Sequence, residues 1–165
     1  MGIEATQEAY ASHLPILREL GSGHGIKRVI EFGVGPFSTP VFLDSNIYTE
    51  LTHLLSFEND PIWAMWAHNH HGDDKRFSLI EADEYSQFQI TPYSHYDMAF
   101  VDSYTFGMRM VSIAKIRLRC RMIVLHDAEQ ACYSKVLKSF KHLRLHKPTD
   151  GTPWTAIMSN FEEVG

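Results

Sequence analysis

Short apolar runs and helical segments alternate along this chain. Runs of the kind that form buried strands occur at residues 29–32, 51–57, 76–82, 96–103 and 121–125, and two shorter ones follow at 143–146 and 155–158. Helices are predicted between them, at residues 4–20, 38–43, 61–66, 106–118 and 131–141. This order of elements indicates an α/β domain with a mostly parallel sheet.

The last two runs differ from the rest because a tight turn joins them. The residue types of Pro148-Thr149-Asp150-Gly151 favour a hairpin loop. The sheet is therefore expected to close in an antiparallel hairpin, which is unusual for ordinary dinucleotide-binding folds.

The first predicted helix is expected to end in the glycine-rich stretch 21–25. Pro15 can divide it in two, with Ser12 as the cap of the second part. Tyr10 and His13 can face a ligand, but the solvated side of an amphipathic helix accounts for them better.

The helix predicted at residues 106–118 has a clear apolar face. Met110, Ile113, Ala114 and Leu118 lie on one side of it, and its basic residues, Arg109 among them, lie elsewhere.

Composition limits the function classes. The 165 residues include 44% hydrophobic ones, which suits one domain spanning 1–165, with residues 1–25 as N-terminal helix and linker. The net charge is −5 and neither sign forms a long block, so neither nucleic acid nor an anionic membrane is an expected partner.

No apolar segment approaches the length of a membrane span, and a cytoplasmic protein is expected. Cys120 and Cys132 lack CxxC spacing and are expected to be reduced packing residues.

A glycine turn follows the first predicted strand. Gly33 and Gly35 let the backbone turn sharply beside a ligand, and Ser38 or Thr39 can cap the next helix. Glu31, just before the turn, suits a ligand that carries positive charge or several donors. The third glycine of a dinucleotide fingerprint is replaced by Ser38, which disfavours a dinucleotide.

Acidic residues end the next two predicted strands. Glu58 lies 25 residues after Gly33, the spacing at which a strand-helix-strand unit brings a carboxylate to ribose hydroxyls. Asp60 can cap the helix that Pro61 opens. Asp83 can reach an adenine amino group, although a solvated loop carboxylate explains it equally well.

Two further strands, expected to be neighbours, end in Asp102 and in His126-Asp127. Their side chains should meet at the carboxyl edge of the sheet, where open α/β sheets bind ligands. The histidine-rich stretch 68–74 is better explained as a polar helix end and surface turn than as a metal site.

The pattern Glu31-x-Gly33-x-Gly35 resembles motif I of the class I S-adenosylmethionine-dependent methyltransferases, and the resemblance covers nearly the whole chain. It implies a three-layer αβα sandwich with a doubly wound, mostly parallel seven-stranded sheet and a C-terminal antiparallel hairpin. The residues that would then contact the cofactor S-adenosyl-L-methionine are Glu31, Gly33, Gly35, Pro36, Ser38, Thr39, Glu58, Asn59, Asp83 and Asp102. In the family, the acidic residue of motif I orients the ammonium group of the cofactor, directly or through water.

Methyl transfer to a hydroxyl needs alignment and removal of a proton. His126 is the natural candidate base, and Asp127 or Asp102 can orient it or bind the acceptor. Family members that methylate catechols hold magnesium with acids at these strand ends, but the usual Asp-Asn pair is missing, so no metal is expected. Alternatively, His126 and Asp127 merely cap the following helix.

The favoured function is thus a methyltransferase for a small molecule, at oxygen. A cofactor-binding protein without its own catalysis is the alternative, because the chain shows no long lid, and a nicotinamide-dependent oxidoreductase fits less well. The aromatic residues Tyr85, Tyr93, Tyr104 and Phe106 can cradle a flat substrate or simply cover the sheet edge. A shallow site leaves room for a second copy, as in a homo-oligomer.

Overall fold

A computed structural model of the protein describes residues 11–82 and 95–165. Tyr10, Asp83, Tyr85 and Tyr93 lie outside the described residues. The predicted adenine contact of Asp83 and most of the connection at 84–95 therefore remain predictions.

The sheet has the predicted seven strands, and all of them lie within one or two residues of the apolar runs. They are β1 (Arg28–Phe32), β2 (His53–Glu58), β3 (Phe77–Glu81), β4 (Tyr96–Val101), β5 (Cys120–His126), β6 (His142–His146) and β7 (Thr155–Ser159). Their order is β3-β2-β1-β4-β5-β7-β6. The first five strands are parallel, whereas β7 is antiparallel to both β5 and β6. The predicted fold class is confirmed.

Helices cover both faces of the sheet. They are α1 (Leu14–Gly23), α2 (Ser38–Leu43), α3 (Pro61–His71), α4 (Phe106–Ile116) and α5 (Ser134–Leu137), the last preceded by a 3-10 turn at Ala131–Tyr133. Alternate β1 residues face opposite cores: Val29 packs with Leu17 of α1 and Phe42 of α2, whereas Ile30 belongs with Ile113 of α4. The start of α3 is as predicted, because Asp60 caps it by accepting from the Ile62 N–H at 2.8 Å.

Three helix predictions are corrected. Helix α1 continues through Gly23, and Ser12 does not cap it. Gly21 lies within this helix, and a Cβ there would lie 2.8 Å from the side chain of Tyr48, so close packing accounts for the glycine. Met110 and Ala114 of α4 are exposed, as is Leu118, which lies beyond the end of this helix. The buried face of α4 is formed by Arg109, Ser112, Ile113 and Ile116. The helix expected at 131–141 is only the turn followed by α5.

Both cysteines are free, but only Cys120 is buried, so the expectation that Cys132 is a packing residue is wrong. In the described part of the chain, no helix combines the length and the apolar character needed to cross a bilayer.

Candidate functional site

Four strands bring predicted site residues to one edge of the sheet. The register sets Phe32 of β1 beside Phe57 of β2 and Val101 of β4, and Val101 beside Leu125 of β5. The next position on each of these strands is a predicted site residue, namely Gly33, Glu58, Asp102 and His126.

The glycine loop after β1 is tied to both neighbouring strands. The Gly33 N–H donates to the Phe57 carbonyl at 2.9 Å, and the Asp102 N–H donates to the Phe32 carbonyl at 2.9 Å. Gly33 has φ +92°, and a Cβ there would lie 2.9 Å from the Asp102 carbonyl oxygen. Glycine is thus required at position 33 by backbone packing. At Gly35, a Cβ would meet no atom of the described residues within 4 Å.

Glu31 is fully buried beneath this loop. Its Oε1 accepts hydrogen bonds from the hydroxyls of Ser38 at 2.7 Å and Thr39 at 3.1 Å, and its Oε2 accepts from Ser56 at 2.6 Å. The expected capping of α2 by Ser38 or Thr39 is wrong, since no side-chain cap bond forms there. Glu31 instead fixes the turn from β1 into α2, and its contact with a cofactor ammonium group stays a prediction.

Removing the charge of Glu31 should change how stability depends on pH. Burial raises the pKa of Glu31 to about 7, against the opposing hydrogen bonds from the three hydroxyls. In the unfolded chain a glutamate titrates near pH ~4.3, so between these values the folded state binds more protons and stability falls as pH rises. The wild type should therefore lose stability between pH ~4.5 and pH ~8, whereas Glu31→Gln should not. Over this range the unfolding free energy of the variant minus that of the wild type should rise by about 3 kcal/mol.

Urea denaturation at the two pH values measures this gain. Glu81→Gln, at an exposed carboxylate, is the control and should show no comparable pH dependence. A difference between Glu31→Gln and wild type that does not vary with pH would show that Glu31 is ionised throughout.

Glu58 is also buried and holds the loop from the other side. Its Oε2 accepts from the Val34 N–H at 2.8 Å, and its Oε1 accepts from the N–H groups of Asn59 and Asp60, each at 2.8 Å. Burial raises its pKa, while these backbone hydrogen bonds oppose the rise. An ionised carboxylate offers about four lone-pair positions, so about one is left for a ligand. Bonds to both ribose hydroxyls would require Glu58 to give up a backbone bond.

Other predicted cofactor residues lie in the segments that follow β1 and β2. Pro36 is exposed, and Gly35 and Asn59 are half-buried. Ser38 and Thr39 are buried with Glu31. The predicted set therefore divides into a surface layer that can touch a ligand and a lower layer that shapes the loop.

The second part of the site joins β4 to β5. His126 is 3% exposed, and its Nδ1 lies 3.1 Å from Asp102 Oδ1. Burial lowers the pKa of His126, but the hydrogen bond and charge of Asp102 outweigh it and hold that pKa above its usual value. Burial raises the pKa of Asp102, yet His126 and Arg109 together keep it below its usual value.

His126 does not cap the next helix. The N-cap of the 3-10 turn Ala131–Tyr133 is Gln130, and no side-chain cap bond is formed there. The Nε2 atom of His126 lies 2.9 Å from the Ser12 hydroxyl, so both ring nitrogens have partners. A base role for His126 stays a prediction.

Arg109 connects the strand-end acids and was missed by the sequence analysis. Its Nη2 contacts Asp102 Oδ1 at 2.9 Å, and its Nη1 donates to Asp127 Oδ2 at 2.6 Å. It also donates to the backbone carbonyls of Ser103 at 2.7 Å and His126 at 2.9 Å. Its spacing was the signal that could have indicated burial. Arg109 is the first residue of the i, i+3, i+4, i+7 series that forms the buried face of α4.

His13 was also missed, because it was expected on a solvated helix face. It is 2% exposed, and its ring centroid lies 4.7 Å from that of His126 and 4.9 Å from that of Phe100. Burial lowers the pKa of His13 to about 3, and the charge of His126 acts in the same direction. No local sequence signal identifies this residue, since its neighbours come from β4 and β5.

A groove of about 370 Å³ lies at the opposite, amino-terminal edge of the sheet. Its lining includes Arg28, Tyr96 and Cys120, which begin β1, β4 and β5. None of the predicted site residues lines it.

The sequence matches no family model and no curated protein. The structure matches solved methyltransferases over nearly its whole described length. A Staphylococcus aureus protein proposed to be a caffeoyl-CoA O-methyltransferase has a TM-score of 0.68 at 13% identity, with 96% of this chain and 92% of that chain covered. N-methyltransferase NodS from Bradyrhizobium japonicum WM9 has a TM-score of 0.65 at 13% identity, covering 98% and 100%. Precorrin-6y C5,15-methyltransferase from Geobacter metallireducens GS-15 has a TM-score of 0.66 at 14% identity, covering 92% and 88%.

These likenesses establish that the chain has the fold of the class I methyltransferases. The three proteins differ in the reactions that their names describe. A shared fold therefore does not determine an acceptor, and function has to be argued from the site.

Proposed function

We propose that this protein is an S-adenosyl-L-methionine-dependent methyltransferase that acts on a small-molecule acceptor, at oxygen. The observation that carries the proposal is the 2.8 Å hydrogen bond from the Val34 N–H to Glu58 Oε2. It joins the glycine loop of β1 to the carboxylate that ends β2, so a close backbone approach lies beside a carboxylate with about one lone pair left for a hydroxyl group. The methyltransferase neighbours in fold support this assignment.

The acceptor would bind beside Asp102, one strand away from the glycine loop. The Asp102 side chain is 24% exposed, whereas that of His126 is 3% exposed, so the carboxylate is the more accessible member of the pair. A carboxylate and an imidazole suit a hydroxyl acceptor, which has to lose a proton as the methyl group arrives. Asp127, bonded to Arg109, would bind or orient the acceptor from the adjacent strand end.

Neutralising Glu58 should weaken cofactor binding. Hydrogen bonds to charged groups contribute about 1.5–3 kcal/mol, so Glu58→Gln should raise the dissociation constant for S-adenosyl-L-methionine roughly 10- to 100-fold. Isothermal titration calorimetry measures the effect. The matched control is Glu81→Gln, because Glu81 is the β3 partner of Glu58 in the sheet register and should leave binding unchanged.

Titration with NAD(H) separates the proposal from a nicotinamide-dependent oxidoreductase. Binding of NAD(H) in preference to S-adenosyl-L-methionine, or equal effects of the two Gln variants, would contradict the proposal. Transfer of a labelled methyl group to a panel of phenols and aliphatic alcohols then tests catalysis. Tight cofactor binding with no transfer across the panel would favour a binding protein without its own catalysis.

A further inference from the structure

Three side chains capable of binding a metal ion converge where β4, β5 and the start of α1 meet. One ligand atom from each of His13, Asp102 and His126 can be chosen so that all three lie within 4.8 Å of one another. Two of the residues come from strand ends and the third from the residue before α1, which is 113 positions from His126 in sequence. The cluster is therefore a product of the fold.

His13 provides an independent sign of a missing ligand. It is 2% exposed, and neither of its ring nitrogens has a hydrogen-bond partner among the described residues. Buried polar side chains in folded proteins almost always have partners. An imidazole beside a second imidazole and a carboxylate, with no hydrogen bond to residues 11–82 or 95–165, lies where a cation would find a nitrogen ligand.

Ser12 shows where a cation can replace a proton. Its hydroxyl donates to the Pro153 carbonyl at 3.1 Å, so we assign its 2.9 Å contact with His126 to an Nε2–H that donates to the hydroxyl oxygen. The position between Nδ1 and Asp102 Oδ1, which lie 3.1 Å apart, then holds either a second ring proton or a cation. A lone pair and a carboxylate repel each other unless a proton or a cation lies between them.

The carboxylate is held in place as well. Arg109, itself buried, contacts Asp102 Oδ1 at 2.9 Å and is fixed on its other side by Asp127. Metal-binding histidines commonly donate their second ring N–H to an oxygen, and metal-binding carboxylates are usually hydrogen-bonded. Ser12 supplies the oxygen for His126, and Arg109 supplies the hydrogen bond to Asp102.

We propose that His13, Asp102 and Nδ1 of His126 bind a divalent transition-metal ion of the kind that prefers imidazole ligands, such as Zn²⁺. Two imidazoles and one carboxylate favour this class of ion over Mg²⁺, and three protein ligands leave a coordination position open. The missing Asp-Asn pair is why no metal was expected from the sequence. Its absence bears on magnesium and not on a ligand set of two imidazoles and one carboxylate.

The open position has a use if the proposed function holds. An acceptor hydroxyl bound there would lose its proton to solvent water more easily, and His126 would then serve as a metal ligand and not as a base. Metal binding itself does not depend on the proposed function, because it is measured without cofactor or acceptor.

The test is titration of the chelator-treated full-length chain with Zn²⁺, followed calorimetrically, and with Co²⁺, followed by visible absorption. One ion per chain is expected, with the intense Co²⁺ bands of a four- or five-coordinate site. His13→Asn should weaken binding at least about 100-fold, more than the roughly 10- to 100-fold typical of losing an outer-shell partner. His70→Asn is the matched control, because His70 is an exposed histidine of the stretch 68–74.

Absence of saturable one-to-one binding would overturn the proposal. So would binding that survives His13→Asn but is lost in His70→Asn, since the ion would then sit on the surface histidines. If His13→Asn does not fold, as judged by circular dichroism, the Co²⁺ spectrum of the wild type and the affinity of Asp102→Asn decide the outcome. A weak octahedral spectrum or an unchanged Asp102→Asn affinity counts against the site. A negative result in the metal titration would not change the outcome of the cofactor titrations with Glu58→Gln. The metal site and the proposed function can therefore be rejected independently.

Discussion

Arg109→Met is expected to lower the free energy of unfolding by about 3–5 kcal/mol, the range found when one partner of a buried ion pair is removed. The guanidinium is buried and contacts both Asp102 and Asp127, so its loss leaves two carboxylates close together without the cation that joins them. It also leaves the carbonyls of Ser103 and His126 without their donor. Urea denaturation at neutral pH measures the loss.

The control for this prediction is Arg144→Met. Arg144 contacts Glu19 at 2.6 and 2.9 Å, but this pair is largely exposed, and exposed pairs contribute about 1 kcal/mol or less. Adding Asp127→Asn to Arg109→Met should restore part of the stability, because one unpaired charge is removed. Equal losses in the two Arg variants would show that water already solvates the acids around Arg109.

Gly33→Ala is expected to destabilise the protein by about 3 kcal/mol or more. A non-glycine residue at positive φ is strained by about 1–3 kcal/mol, and the new Cβ would in addition lie 2.9 Å from backbone atoms of Asp102 and Ser103. These are main-chain atoms, so the ends of β1 and β4 must separate to relieve the contact. Thermal and urea denaturation measure the effect.

Gly35→Ala is the matched control in the same loop. Its Cβ would meet no described atom within 4 Å, so stability should change by no more than about 0.5 kcal/mol. Its half-buried position in the glycine loop predicts that S-adenosyl-L-methionine binding weakens all the same. Similar stability losses in both variants would contradict the distinction between a packing glycine and a ligand-facing glycine.

The strands could be predicted because each depends on a local run of apolar residues. The apolar core of β4, for example, is continuous in sequence and buried on both faces in the structure. The loop after β1 was located for the same reason, since its glycines lie directly after such a run. Helix faces were less predictable, because periodicity counting assigns charged residues to solvent and Arg109 is an exception.

The site was predictable only as far as strand ends determine it. Asp102, His126 and Asp127 meet because parallel strands align their carboxyl ends, which the sequence analysis could use. The burial of Arg109 and His13 depends on contacts between residues far apart in the chain. A buried arginine is stable only when its carboxylate partners arrive together, and no local pattern shows that they do.

The position of β7 also bears on how the protein is made. This strand is hydrogen-bonded between β5 and β6, and the Ser12 hydroxyl contacts Pro153, 141 residues further along the chain. During synthesis on the ribosome, β5 therefore emerges well before its antiparallel neighbour and presents an unpaired edge, which is prone to mispairing. The nascent chain can complete this side of the sheet only after β7 has left the exit tunnel.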